Sequence, residues 1–267
     1  MLLLTTWEAA YRTIGWREWV FPAPSHIADA LLGLLNVHTA FGAPFGESWP
    51  KAPEGMRDRH DTLFIANVVS LTRLSVGFAF SIVLGALLGL AMWRWQALDE
   101  FLGPLFLGLQ TLPSVCWVPL AILTFGINET AILFVLIMGS FFAIAISLRD
   151  GLRTIPPVYK RAGLMLGATG WKLYRYVLLP ASLPALASSL RQGFSFAWRS
   201  LMGAELLFAV EHHGLGFLLQ NGRDLSDVAQ VIGVMVVMVV IGMLADRFGF
   251  ARLERAVHHR FGLIAAR

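Results

Sequence analysis

Charge is scarce in this sequence. Lysine, arginine, aspartate and glutamate make up 14% of 267 residues, and hydrophobic residues make up 57%. A soluble domain usually carries about 25% charged residues. That balance excludes a disordered chain and a free-standing soluble enzyme. Cysteine is nearly absent. Cys116 is the single one and cannot form an internal disulfide, which excludes a disulfide scaffold. It sits in an apolar run, as a packed thiol would. No Gly-Lys dipeptide occurs anywhere, so the chain carries no phosphate-binding loop of the Walker type. His212-His213 and His258-His259 are adjacent pairs, which point apart on a helix, and no apolar run contains a histidine. Neither a metal site nor a catalytic residue is expected. The net charge of +4 does not indicate nucleic-acid binding, because in a membrane protein the placement of the charge is what matters.

Long apolar runs are what the sequence does have. Leu74–Trp93, Phe101–Asn128, Thr130–Leu148 and Val228–Ala245 contain no charged residue over 20, 28, 19 and 18 positions. Each is close to the roughly 20 residues a helix needs to cross a bilayer. The expected fold is all-α and polytopic, with five transmembrane helices at 62–93, 103–125, 130–148, 182–209 and 228–247. Pro113 and Pro119 predict kinks in the second. The fourth is the least clean, since it holds Arg191, Arg199 and Glu205.

The loops predict orientation. Segment 149–181 carries Arg149, Arg153, Lys160, Arg161, Lys172 and Arg175 against Asp150 alone. The tail carries Arg247, Arg252, Arg255, Arg260 and Arg267 against Asp246 and Glu254. Segment 210–227 carries Arg223 against Glu211, Asp224 and Asp227. Basic loops stay in the cytoplasm. The 149–181 loop and the C-terminus are therefore expected inside, and 210–227 outside. Five spans then leave residues 1–61 outside, with an interfacial helix over 22–35 and Ser25 as its N-cap. Residues 62–267 form the transmembrane domain. Residues 1–20 are too short and too charged to cross, and no charged start precedes Leu2–Leu4 to mark a signal peptide.

The 149–181 loop is patterned. Pro156-Pro157 ends one helix, Val158–Leu166 is helical, Gly167–Gly170 is a turn, and Trp171–Leu179 is helical again. Pro180 and Pro184 bracket the entry to the next span. Leu164, Met165 and Leu166 are available to fill a partner's groove. A basic amphipathic loop lying on anionic membrane lipid has the same pattern. Gly77, Ser81, Gly85 and Gly89 make a smooth helical stripe, suited to packing within the chain or between two copies. Arg73, Arg191, Arg199 and Glu205 are expensive in lipid and must face protein or water. They either pair with other helices or line an anion path. Arg191 and Arg199 lie within about 80° of each other on an ideal helix. Phe194, Phe196 and Trp198 either gate that path or pack. Trp93 and Trp95, beside Arg94, have the look of an interfacial belt.

The loop resembles that of ABC-importer permeases, whose pattern is Glu-Ala-Ala, three residues, Gly, nine residues, Ile, any residue, Leu-Pro. Here the residues are Arg161-Ala162-Gly163, then Gly167, then Val177-Leu178-Leu179-Pro180, with the spacing intact. Arg161, Gly163 and Val177 depart from the pattern. FPAPSHIADALLGLL, LTRLSVGFAFSIVLGALLGL, SSLRQGFSFAWRSLMGAELL and GLGFLL are similar to segments of the nitrate/sulfonate/taurine branch, from about residue 20 onward. The resemblance implies a type I importer permease fold, with one family span missing at the N-terminus. It implies a second permease copy, a separate ABC ATPase that uses the ATP, and an external solute-binding protein, in a bacterial inner membrane. It makes Arg161, Ala162, Gly163, Leu164, Met165, Gly167, Val177, Leu179 and Pro180 the ATPase-coupling element. Gly167 is expected to let the chain turn tightly there, where a Cβ would clash. Arg73, Arg191, Trp198, Arg199 and Glu205 become candidates for the path of a small anion. A stand-alone secondary transporter or channel would show internal repeats, and none is evident. An intramembrane enzyme would need a nucleophile–base pair or metal ligands within the spans.

Overall fold

A computed structural model describes residues 2–14, 22–35, 62–208 and 214–260. All regular structure among the described residues is helical. The chain divides into two units, Met1–Arg73 with Met202–Ile241, and Leu74–Leu201 with Gly242–Arg267.

In the second unit, two helices share a seam built from small residues. They are α3 (Thr62–Arg94) and α6 (Glu129–Arg153). A Cβ on Gly77 would lie 2.8 Å from Leu136, and one on Gly85 would lie 2.8 Å from Ile144. A Cβ on Gly89 would lie 2.7 Å from the Ala145 carbonyl. Between them, the Ser140 hydroxyl donates to the Ser81 hydroxyl at 2.7 Å. The stripe therefore packs within the chain. Contact residues rise together on both helices, so α3 and α6 run parallel.

Parallel neighbours need a return crossing between them. It is made by α4 (Gln96–Thr111), a 3-10 turn (Ser114–Trp117) and α5 (Val118–Phe125). Down this segment, Asp99 meets Arg149, Phe106 meets Phe142, and Phe125 meets Phe134. On α6 those partners are 15 residues apart, or about 22 Å. The predicted kink at Pro113 is instead a break, with the two arms bent by 103°. Leu112 is extended (φ −67°, ψ 127°), because a proline disfavours helical backbone in the residue before it. Pro119 causes no kink. It lies in the first turn of α5, where a missing N–H is harmless. The helix also starts at Gln96 rather than 103, so it includes Asp99.

Helix α6 is buried on every side from Ser140 to Ile146, which marks it as the centre of its unit. The long helix α9 (Leu179–Leu207) descends antiparallel to it, with Ala185 beside Gly151, Gly193 beside Ile144, and Ser200 beside Gly139. Helix α11 (Val228–Leu244) continues through a π-helical turn, Ala245–Phe250, into α12 (Ala251–Arg260). Gly242 and Asp246 lie against Trp198 and Arg191 of α9. The C-terminal ends of α3, α6 and α11 thus share one end with the start of α9.

In the first unit, α1 (Leu2–Ile14) and α2 (Pro24–Leu34) are tied together by Ser25, whose hydroxyl donates to Glu8 at 3.3 Å. Ser25 is not the expected N-cap. Ala23 holds that position, and Pro24 follows as the first helical residue. Ile27 and Leu31 of α2 pack on Gly233 of α11. This unit also contains α10 (Leu215–Asp224).

Among the described residues, three helices are long and apolar enough to cross a membrane, or four if the bent pair counts as one span. The remaining expected span, 182–209, is helical within the 29-residue α9. Its three charges keep it out of that apolar set.

Candidate functional site

The hairpin begins with α7 (Pro157–Met165), whose first residue is a proline. The helix ends in a Schellman motif. Ala168 N–H donates to the Gly163 carbonyl at 2.9 Å, and Gly167 N–H donates to Leu164 at 3.0 Å. Gly167 has φ +79°, and a Cβ there would meet nothing within 4 Å. Its expected role of avoiding a clash is thus corrected. The turn needs the left-handed backbone that glycine adopts freely, rather than extra space.

Space matters at Gly163 instead. A Cβ there would lie 2.7 Å from Leu173 and 3.0 Å from Val177. Two departures from the family pattern, Gly163 and Val177, therefore face each other where the hairpin arms close. The return arm is α8 (Gly170–Leu173), a π-helical turn (Tyr174–Leu178) and then α9, without interruption. The expected separate second helix is part of the span helix. The π turn ends two residues before Pro180, which lacks a helical donor and crowds the carbonyls before it. The tip is apolar and open. Met165 and Leu166 are each 88% exposed, and Leu164 and Trp171 are exposed too. Arg161, Ala162 and Leu179 are also exposed, while Pro180 is half-buried. A groove of about 450 Å³ lies at the root of the hairpin, lined by Ile155, Tyr159, Tyr176 and Pro180 among others.

The intramembrane charges do not form one group. In the first unit, Arg73 donates to Glu205 at 2.9 Å, and both are buried. Glu205 also accepts from Ser70 at 2.7 Å and from the Gly216 N–H at 3.1 Å. The Leu215 N–H donates to Ser70 in turn. Glu205 thereby caps the N-terminus of α10, where an anion is favoured. Any side chain at Gly214 would run into this carboxylate.

In the second unit, Arg191 is gripped by Asp246 at 2.6 Å and by Glu254 at 3.1 Å. Arg199 is different. Its Nε donates to the Ser195 carbonyl at 3.1 Å, and its guanidinium lies 4.7 Å from the Phe196 ring centre. Among the described residues it has no carboxylate partner. Trp198 packs beside Gly242, and Phe194 is buried against Phe78 and Phe250. Sequence reasoning missed Asp99, which takes hydrogen bonds from Arg149 at 3.0 Å and Arg153 at 2.6 Å. It also missed Ser70. No group of three or more His, Cys, Asp or Glu residues suited to a metal occurs among the described residues.

Membrane-length apolar helices joined by a long basic hairpin define a polytopic membrane protein. Comparison with known sequences makes this specific. The family described as binding-protein-dependent transport system inner membrane component matches residues 81–258, and the chain belongs to that family. It is a permease-type, non-ATPase member. A bicarbonate transport system permease protein of Synechococcus elongatus is 30% identical over 186 residues, covering 70% of this chain and 66% of that one. The chain thus spans about two thirds of that relative's length. A taurine transport system permease protein of Escherichia coli is 29% identical over 254 residues, covering 95% of this chain and 85% of its own. In fold, the chain is similar to a methionine ABC transporter in inward-facing form, with a TM-score of 0.62 and 24% identity over 77% of this chain and 99% of that one.

Proposed function

We propose that this chain forms the solute path of an ATP-driven importer. A second copy completes the pore, two separate ATPase subunits dock beneath it, and an external binding protein delivers a small anion. The observation that carries the reading is the open apolar tip, Leu164, Met165 and Leu166, on a hairpin continuous with a span. Such a tip costs free energy in water unless a partner covers it. Because α8 runs directly into α9, a push on the tip moves a helix that crosses the membrane. Closure of the ATPases would transmit through Gly167 and the Gly163–Val177 contact. Partner ATPases supply the ATP hydrolysis.

Orientation follows from the same end of the second unit. It carries Arg94, Arg153, Lys160, Arg161, Lys172, Arg175, Arg247, Arg252 and Arg255. That excess supports a cytoplasmic side for this end and for the C-terminus under the positive-inside rule. Five spans then put residues 1–61 outside as a separate segment, with 62–267 as the permease domain and 149–181 as its coupling loop. An anionic solute is supported by the relatives' named solutes and by the unneutralised Arg199.

The test is co-purification. The chain is expressed with its genomic neighbours and extracted in mild detergent. A stoichiometric ATPase subunit should be recovered, and Gly167→Trp should lose it while membrane insertion survives. Recovery of the chain alone, with uptake driven by an ion gradient and indifferent to ATP, would overturn the reading in favour of a secondary transporter.

A further inference from the structure

The break in the return crossing opens a cleft near the middle of α6, walled mainly by apolar residues such as Leu109, Pro113 and Met138, with a few polar groups among them. It has a volume of about 300 Å³ and is lined by Gln110, Thr111, Ser114, Gly139, Phe196 and Arg199 among others. A bound water takes about 30 Å³, so the cleft suits a solute of a few heavy atoms. Non-helical backbone at this depth is tolerated where it lines a cavity, and broken helices mark solute sites in other transporters.

Two side chains there are chemically incomplete. Arg199 has spent its Nε on the Ser195 carbonyl and its face on Phe196, which leaves its outer edge for an anion. Gln110 Oε1 is buried and accepts no hydrogen bond. Such an orphan is uncommon in a native fold and calls for a reason. The last torsion of glutamine is soft, so the amide can swing its oxygen towards a solute in the cleft. Gly139 keeps the far wall open. A Cβ there would lie 3.3 Å from Ser114 and would run into Ser200.

We propose that this cleft is a solute station that takes a small solute with an anionic head group and its own hydrogen-bond donor. Arg199 holds the anionic oxygens, and Gln110 Oε1 accepts from an O–H or N–H of the solute. Hydrogen carbonate and aminosulfonates meet both demands. Nitrate meets only the first, since it has no hydrogen to donate. The inference rests on the permease reading and sharpens it by naming what the path selects.

The experiment uses the full chain, co-expressed with its neighbours and purified in detergent. Thermal stabilisation is read with taurine, sodium hydrogen carbonate, sodium nitrate and sodium chloride. Taurine or hydrogen carbonate should stabilise at concentrations about tenfold below nitrate. Gln110→Leu should erase that difference. Arg199→Gln should abolish stabilisation by every probe, and Arg199 is exposed, so the variant should fold. If Arg199→Gln aggregates, Arg199→Lys serves in its place, since it keeps the charge but loses the two-pronged edge, and it should weaken stabilisation by every probe that Arg199 holds. Equal response to nitrate and taurine, or no response to either, would overturn the proposal. ATPase recovery is scored on the same samples. Recovery without probe discrimination sinks this inference alone, whereas loss of the ATPase from the wild-type sample sinks the permease reading.

Discussion

Two arginine–carboxylate pairs in this chain are alike in chemistry and unlike in setting. Arg73 and Glu205 have side chains only 6% and 1% exposed. Arg191 and Asp246 are each 42% exposed. In the first pair a carboxylate is also held by a hydroxyl and a backbone N–H. In the second, both partners lie open at the surface of the unit. A buried charge that loses its partner is left where nothing solvates it, whereas an exposed one is re-solvated. The comparison teaches that a charge in a span is not by itself a sign of a solute path. Arg73, Glu205 and Arg191 are already neutralised within the chain, and Arg199 is the candidate with charge to spare.

The largest effect should come from breaking the buried pair. Glu205→Ala strands Arg73, Ser70 and the Gly216 N–H together, and should lower stability by about 3–5 kcal/mol. Thermal unfolding in detergent reads this directly. Replacing both partners, Arg73→Met with Glu205→Leu, should recover part of the loss, because no lone charge then remains. If the double variant is as unstable as Glu205→Ala, the stranded charge is not the cause. If it is stable but transports nothing, the pair belongs to the solute path after all.

Next comes the small-residue seam. Gly85→Leu drives a side chain against Ile144 and the Phe141 carbonyl, 2.8 and 3.0 Å from the first added atom. Overpacking of this kind costs about 1–3 kcal/mol. The same change at Gly108, where a Cβ would meet nothing within 4 Å, should be nearly neutral. Equal losses at the two positions would remove the seam from the account of α3 and α6.

These features differ in how far the sequence announces them. Uncharged runs of bilayer length announce an all-helical membrane protein, since few other folds tolerate them. The hairpin was legible because proline and glycine punctuate it at fixed places. The Gly77–Gly89 stripe was legible as a packing face, although not its partner, α6. Pro113 marked a disturbance, but a proline can bend or break a helix, and packing on α6 decides which. The start of α4 was hidden because Asp99 and Glu100 interrupt the apolar pattern. The arginines that satisfy Asp99 lie 50 and 54 positions away. Glu205 was legible as costly but not as paired, for its partners arrive from α3 and the start of α10. Gly167 was singled out correctly as the turn residue and given the wrong physical reason.

The half-exposed pair should yield a smaller loss. Arg191→Gln should cost about 0.2–1 kcal/mol, and the difference from wild type should shrink as salt rises. Paired thermal scans at low and high ionic strength give both numbers. A loss as large as that of Glu205→Ala, unchanged by salt, would mean that the solvent does not screen this pair and that the contrast between the two pairs fails.

The smallest effect belongs to the tie between α1 and α2. Partial burial pushes the Glu8 carboxyl up. Hydrogen bonds from Arg12 and Ser25 outweigh that push and hold it below the ordinary carboxylate value. A carboxylate lowered on folding lends stability above its unfolded value, and that stability is lost as pH falls through the folded one. Protection of residues 2–14 from hydrogen exchange, measured against the intrinsic amide rate at each pH, should therefore hold at neutral pH and fall only below the ordinary glutamate range. Glu8→Gln removes the titrating group, so protection in the variant should be slightly lower at neutral pH and indifferent to acid. The same acid response in Glu8→Gln would assign the loosening to another group and leave the Ser25 contact incidental.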